Sequence, residues 1–146
     1  KGNRSLELED RARDLLADQG LQEAITYSLT SPEAEAKLNV KHTGNVALLN
    51  PLSPERSVLR RSLLPGALAV AQKNLEAADS VALYELGFVY VPQSGEKLPD
   101  EPRQIAVVLC GRRAAGAWDD PQGTKPAQYD FYDVKGVVES LVSDLH

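Results

Sequence analysis

Methionine is absent from the 146 residues, cysteine occurs once, histidine twice, and aromatic residues make up only 5% of the chain. Each scarcity removes a class of function. A lone Cys110 has no partner for an internal disulfide, and His42 and His146 beside a single thiol cannot assemble a structural zinc site. Such thiol usage is that of a reducing compartment, so the expected location is the cytoplasm. No apolar stretch nears the roughly 20 residues that a membrane helix requires. The opening KGNRSLELED also lacks the apolar core of a signal peptide, so neither export nor membrane anchoring is expected. Positive charge is in deficit as well: 16 Lys and Arg against 21 Asp and Glu give -5, the wrong sign for a surface that wraps a phosphate backbone. A dedicated nucleic-acid-binding domain is therefore disfavoured. With no methionine, a start on Lys1-Gly2-Asn3 and a stop directly after an apolar periodic run, the sequence reads as a segment cut from a longer chain and incomplete at its C-terminal end.

What is present is enough for one core. A chain with 42% hydrophobic and 25% charged residues is expected to fold as a single domain over residues 1–146, burying roughly 70% of its unfolded surface. Leu8, Ala12, Leu15 and Leu16 recur at helical spacing behind Ser5 as a cap, with Gly20 as terminator, and Glu9 to Arg13 supplies an acid-first pair four residues apart. From Glu23 to Leu29 the period changes to two, with Ile25, Tyr27 and Leu29 facing one way, as in a half-buried strand. Ser31-Pro32 opens a short helix to Leu38, and short strands follow at Val46 to Leu49 and Val58 to Arg60. Ser62 then caps a helix whose inner face is read as Leu64, Leu68, Ala71 and Leu75. The clearest strand is Ser80 to Val91, with Gly87 as a bulge or a point of close approach, and a turn-rich loop returns it to Gln104 to Cys110. That connection predicts antiparallel pairing. After an irregular stretch from Arg112 to Gln128, Asp130 caps a last helix with Val134, Val137, Val138, Leu141, Val142 and Leu145 on one face. Gathered strands with helices at both ends predict an α+β fold, an antiparallel sheet flanked by helices.

No catalytic constellation emerges from these residues. Gly111 to Gly116 has two glycines five apart but no following Lys and Ser/Thr to reach phosphates and magnesium, so it reads as a strand end with exposed arginines. Neither histidine sits in a motif that would aim it at a serine. Cys110 ends an apolar strand without a base beside it and reads as a small buried hydrophobe. The acidic pairs Asp119-Asp120 and Glu139 with Asp144 lack further ligands at metal spacing. Adjacent arginines such as Arg60 and Arg61 suit a bidentate clamp on phosphate or carboxylate. The structural reading is favoured over that clamp: one arginine in a salt bridge, the other solvated.

Several runs together carry a resemblance that no one of them carries alone. GLQEAITYSL, NPLSPERSVLRRSLLPGALAVAQKNL, ALYELGFVYVP and YDFYDVKGVVESLV resemble, in order and spacing, the beta chain of bacterial phenylalanyl-tRNA synthetases over nearly the whole sequence. The specific part is Asn50-Pro51-Leu52-Ser53 with Leu59-Arg60-Arg61-Ser62-Leu63-Leu64-Pro65-Gly66.

The resemblance implies a core module of class II aminoacyl-tRNA synthetase type, degenerate and non-catalytic, set beside the true catalytic core of an alpha chain. Working cores of that type carry an Arg-x-Glu strand whose arginine neutralises the ATP alpha-phosphate; here the similar strand reads Leu83-Tyr84-Glu85. Leu83 is thus expected to pack, and Arg60, Arg61 and Leu83 are expected to be structural. The implied partners are an alpha subunit and a second beta subunit, with tRNA bound by the whole complex rather than by these residues. No cofactor is expected within the segment, whereas the whole enzyme would require ATP and magnesium. Leu8, Ala12, Leu15 and Leu16 are expected to form a subunit contact and to drive self-association of the isolated chain. The competing expectation is a free-standing protein- or RNA-binding module of the same fold.

Overall fold

The computed structural model describes residues 3–38, 44–95, 98–113 and 126–145. Four helices are present among them: α1 (Arg4–Asp18), α2 (Pro32–Ala36), α3 (Leu64–Asn74) and α4 (Phe131–Asp144). The strands are β1 (Gln22–Glu23), β2 (Leu29–Thr30), β3 (Val58–Leu59), β4 (Ser80–Phe88) and β5 (Arg103–Gly111). A single 3-10 turn, Pro54–Arg56, precedes β3.

The β4-β5 hairpin is antiparallel, in unbroken register from Ser80 opposite Gly111 to Phe88 opposite Arg103. β1 adds to the other edge of β4 in parallel, so the three-stranded sheet, ordered β1-β4-β5, is mixed rather than wholly antiparallel. β2 and β3 form a separate antiparallel pair. Strand side chains alternate between faces, and that alternation divides the core in two. Val81, Leu83, Ala106 and Val108 lie under Leu63, Ala67 and Ala71 of the α3 segment. Tyr84, with Ala82, Leu86, Val107 and Leu109, faces α1 and α4 through Ala12, Leu16, Val137 and Leu141. The architecture is α+β, one sheet between two helical layers.

Local signals account for much of this, with corrections. α4 is capped by Asp130, whose side chain accepts from Tyr132 and Asp133 while Asp133 returns a bond to the Asp130 amide, a complete capping box. Of its expected apolar face only Val137 and Leu141 are buried; Val138 and Val142 stand about half exposed because α1 covers a narrower stripe. α1 is capped by Asn3 rather than Ser5, the Asn3 carboxamide accepting from the Ser5 amide at 3.2 Å. In α3 the period was legible but the phase was not. Leu63, Ala67 and Ala71 are buried, and Leu64, Leu68 and Leu75 are exposed. Small residues let the helix approach the sheet segment closely: a Cβ on Gly66 would meet Thr26 Oγ1 at 2.5 Å.

The expected strand from Glu23 to Leu29 is instead two short strands in different sheets, and Ile25 and Tyr27 face outward. The chain leaves β4 after the Ala24 amide bonds to the Tyr84 carbonyl, because the Thr26 amide is drawn to the Glu85 carboxylate and the Ser28 carbonyl to the Arg60 amide. Val46 to Leu49 forms only an isolated bridge, Ala47 with Val58. Gly87 makes no bulge and is a point of close approach. Cys110 is exposed, lying at the end of β5 beyond the buried pair Ala106 and Val108. Gly111 closes β5 at φ 85, where a Cβ would stand 2.1 Å from the Asp79 carbonyl oxygen. Of the stretch read as irregular, Arg112 bridges Gln128, while Asp119 and Asp120 lie outside the described residues, as do His42 and His146.

Candidate functional site

The buried charges converge on the α3 face of β4. Alternation places Leu83, Glu85 and Gly87 on that face, and Arg60 reaches the same place from the end of β3. Glu85 is 2% exposed and Arg60 7% exposed, a depth at which an ion survives only with its bonds satisfied. They are satisfied by one another. Arg60 Nη1 donates to Glu85 Oε1 at 2.6 Å, Arg60 Nε to the Phe88 carbonyl at 2.9 Å, and Nη1 also to Thr26 Oγ1 at 3.0 Å. Thr26 closes the circuit, its amide donating to Glu85 Oε1 at 3.1 Å and its hydroxyl to the same carboxylate at 2.9 Å from Oε2. Gly87 leaves the space: a Cβ there would stand 2.4 Å from Arg60 Nη2. The backbone of Arg60 is held too, its amide donating to Ser28 and its carbonyl accepting from Tyr90. The residue ties three segments together.

Arg61 is buried as well, at 8% exposure, with Nη1 donating to the Gly44 carbonyl. This corrects the expectation that one of the two arginines would be solvated: the chain turns into α3 at this point and the Gly44 carbonyl receives the guanidinium. Glu35 of α2 is the neighbouring buried carboxylate, 5% exposed, with neither oxygen in hydrogen-bonding geometry to a donor. Burial pushes its carboxyl up, while the Arg61 main chain and the Arg61 and Arg60 charges oppose that rise. A small cavity of about 240 Å³ lies beside this cluster, lined by Thr26, Thr30, Glu35, Ser62, Pro65 and Gly66 among others.

Leu83 is 4% exposed and packs in the cluster with Ala67 and Ala71. It also borders a groove of about 640 Å³, which runs between the β1 edge and α3 past Gln22, Ile25, Val70 and Asn74. Among the described residues Glu23 is the one charged residue on the groove wall, its carboxylate paired with Arg13 at 3.1 Å, and no lysine or arginine lines it. A nucleotide triphosphate placed there would meet no lysine or arginine on the described wall, so these residues offer its phosphates no neutralising charge. Among the described residues no group of three metal-ligating side chains is present either. The chemistry this arrangement supports is cohesion.

The first-helix stripe divides on inspection. Ala12 and Leu16, at 3% and 0% exposure, belong to the chain's own core, with Leu15 partly buried beside them. Those positions are therefore not a free subunit contact: α4 and Tyr84 already cover them. Leu8 alone of the four is exposed, on the rim of an apolar hollow of about 360 Å³ with Leu86, Ile105 and Leu145.

Glu85 was visible in the sequence only as the third residue of Leu83-Tyr84-Glu85. Thr26 and Glu35 carried no signal, since nothing local links Thr26 to a carboxylate 59 positions away.

Comparison with known proteins agrees over the whole length. Residues 1–146 match the family model described as the phenylalanyl tRNA synthetase beta chain CLM domain. The phenylalanine–tRNA ligase beta subunit of Carboxydothermus hydrogenoformans is 42% identical over 142 residues, which is 94% of this chain and 17% of that protein. The beta subunit from Symbiobacterium thermophilum is 39% identical over 152 residues, again 17% of its length. The chain thus spans about one sixth of these curated relatives. Two solved structures from Desulfitobacterium hafniense share the fold. One pyrrolysyl tRNA synthetase aligns with TM-score 0.66 at 18% identity, over 94% of this chain and 44% of its own. Another aligns with TM-score 0.57 at 22% identity, over 73% and 39%.

Proposed function

The chain belongs to the phenylalanyl-tRNA synthetase beta chain family, and from that premise we propose that it is a non-catalytic core module supporting ATP-dependent charging of tRNA with phenylalanine. Catalysis is assigned to the alpha subunit of an alpha-beta complex in the cytoplasm, in which a second beta subunit completes the assembly. ATP and magnesium serve that whole enzyme, and tRNA is held by the complex without direct contact from these residues. The observation that carries this reading is the groove beside Leu83: among the described residues no lysine or arginine lines it, Arg13 is paired with Glu23 of its wall, and Arg60 is committed to Glu85. With no positive charge to meet an alpha-phosphate, adenylate formation loses its main electrostatic support.

The chain is read as one domain over residues 1–146, a reading supported by the family model that matches all of them. Described helices include none long and apolar enough to cross a membrane, in keeping with a cytoplasmic assignment. The test is pyrophosphate exchange into ATP with phenylalanine, measured on this chain. Background exchange is expected, unchanged by Arg60→Ala. Exchange above background that Arg60→Ala or Arg61→Ala abolishes would overturn the reading.

A further inference from the structure

The Leu49-Asn50-Pro51-Leu52 tip buries no side chain in the fold in which it sits. The chain is 25% charged, yet residues 44–54 contain no charged side chain. Ser62 to Gln72 is a second charge-free run of the same length, and it is explained: most of it is α3, which packs on the sheet through Leu63, Ala67 and Ala71. The first run is not explained in that way. Leu49 is 95% exposed and Leu52 104% exposed, with Asn50 and Pro51 exposed between them. Two leucines in open water flanking a proline are an unusual use of apolar surface.

The tip is also held in place. At its base the Leu48 amide donates to the Ser57 carbonyl and the Leu59 amide to the Val46 carbonyl, each at 2.9 Å, around the Ala47-Val58 bridge. On the far side the Pro54–Arg56 turn is closed by the Arg56 amide on the Ser53 carbonyl and by Ser57 Oγ on the Pro54 carbonyl. The ordering entropy that a docking loop would otherwise lose on binding is already spent in this fold.

We propose that the Leu49-Asn50-Pro51-Leu52 tip is a docking knob that inserts into an uncharged apolar pocket on another segment of the same beta chain. The inference rests on the reading of this chain as a module of a longer beta subunit. The matched part is 17% of these relatives, which are thus about six times as long. A tethered partner segment is present at high effective concentration and sacrifices no translational freedom on docking, which favours it over a separate subunit. A charge-free tip matches a charge-free pocket, because a buried charge facing Leu49 and Leu52 would be left without a partner.

Hydrogen exchange on the full-length beta chain tests this, with and without the alpha subunit. Amides around Leu49 and Leu52 are expected to exchange at least about tenfold more slowly than an open loop in the beta chain alone. Leu49→Ser with Leu52→Ser should release that protection and, together with it, protection of one other discrete segment of the beta chain. The β4-β5 hairpin should stay protected in the variant, which separates undocking from unfolding. Fast exchange at the tip in the beta chain alone would overturn the proposal, as would protection that appears only when the alpha subunit is added. Protection that grows with beta-chain concentration would overturn it too, in favour of a second copy. The pyrophosphate-exchange test reads separately, since adenylation chemistry in the module would appear whether the tip were covered or bare.

Discussion

Arg60→Ala is the sharpest test of the buried charge network. The substitution removes the 2.6 Å ion pair to Glu85 and the bonds to Thr26 Oγ1 and to the Phe88 carbonyl. Glu85, 2% exposed, is then left with Thr26 as its remaining hydrogen-bond donor. Removing one partner of a buried pair typically costs about 3 to 5 kcal/mol. At about 2 to 4 °C per kcal/mol for a chain of this size, the melting temperature should fall by roughly 10 °C. Thermal unfolding followed by circular dichroism measures it, and ATP should not move the midpoint of either protein. Two companion variants make the test specific. Arg60→Met combined with Glu85→Gln should cost less than the sum of the two single changes, by about 0.5 to 3 kcal/mol, since no uncompensated charge remains. Gly87→Ala should be harmful in the native background, where its Cβ would stand 2.4 Å from Arg60 Nη2, and nearly neutral once Arg60 is alanine. A loss below about 1 kcal/mol for Arg60→Ala, the ordinary cost of a surface change, would refute the network. So would dose-dependent stabilisation by ATP.

Two further outcomes follow from the burial pattern. Burial holds the Glu35 carboxyl above its unfolded pKa, so its contribution to stability is fully present below the unfolded value and is lost as pH rises through the folded one. Glu35→Gln should therefore raise the melting temperature at pH 8 and bring no gain at pH 3; a gain confined to low pH would contradict the assignment. On the first helix, Leu16→Ala should cost about 2 to 5 kcal/mol by opening a cavity in a 0% exposed site. Leu8→Glu, by contrast, should leave the melting temperature nearly unchanged, and equal losses at the two positions would show that the division of the stripe is wrong.

Part of the site was legible from the chain alone. Leu83 in place of an arginine, the close approach at Gly87 and the doublet Arg60-Arg61 were all visible as residues that departed from a pattern. Their partners were not. Thr26, Arg60 and Glu85 are separated by 34 and 25 positions, and no periodicity connects a hydroxyl near one end of a sheet to a guanidinium leaving another strand. One of Arg60 and Arg61 was read as solvated, yet both are buried, Arg61 through a carbonyl 17 positions away at Gly44.

The sequence by itself determined the four helices, the β4-β5 hairpin and the Asp130 cap, because capping, turn chemistry and hydrophobic period are settled within a few residues. It also determined the family, through the order of its motifs. Tertiary structure alone decided which side of each element faces inward. α3 turned Ala67 and Ala71 to the sheet rather than Leu64 and Leu68, and α1 kept Ala12 and Leu16 for its own core. The same period is satisfied by more than one phase, and the phase is chosen by what lies opposite: here, a sheet face close enough that small residues pack better than large ones.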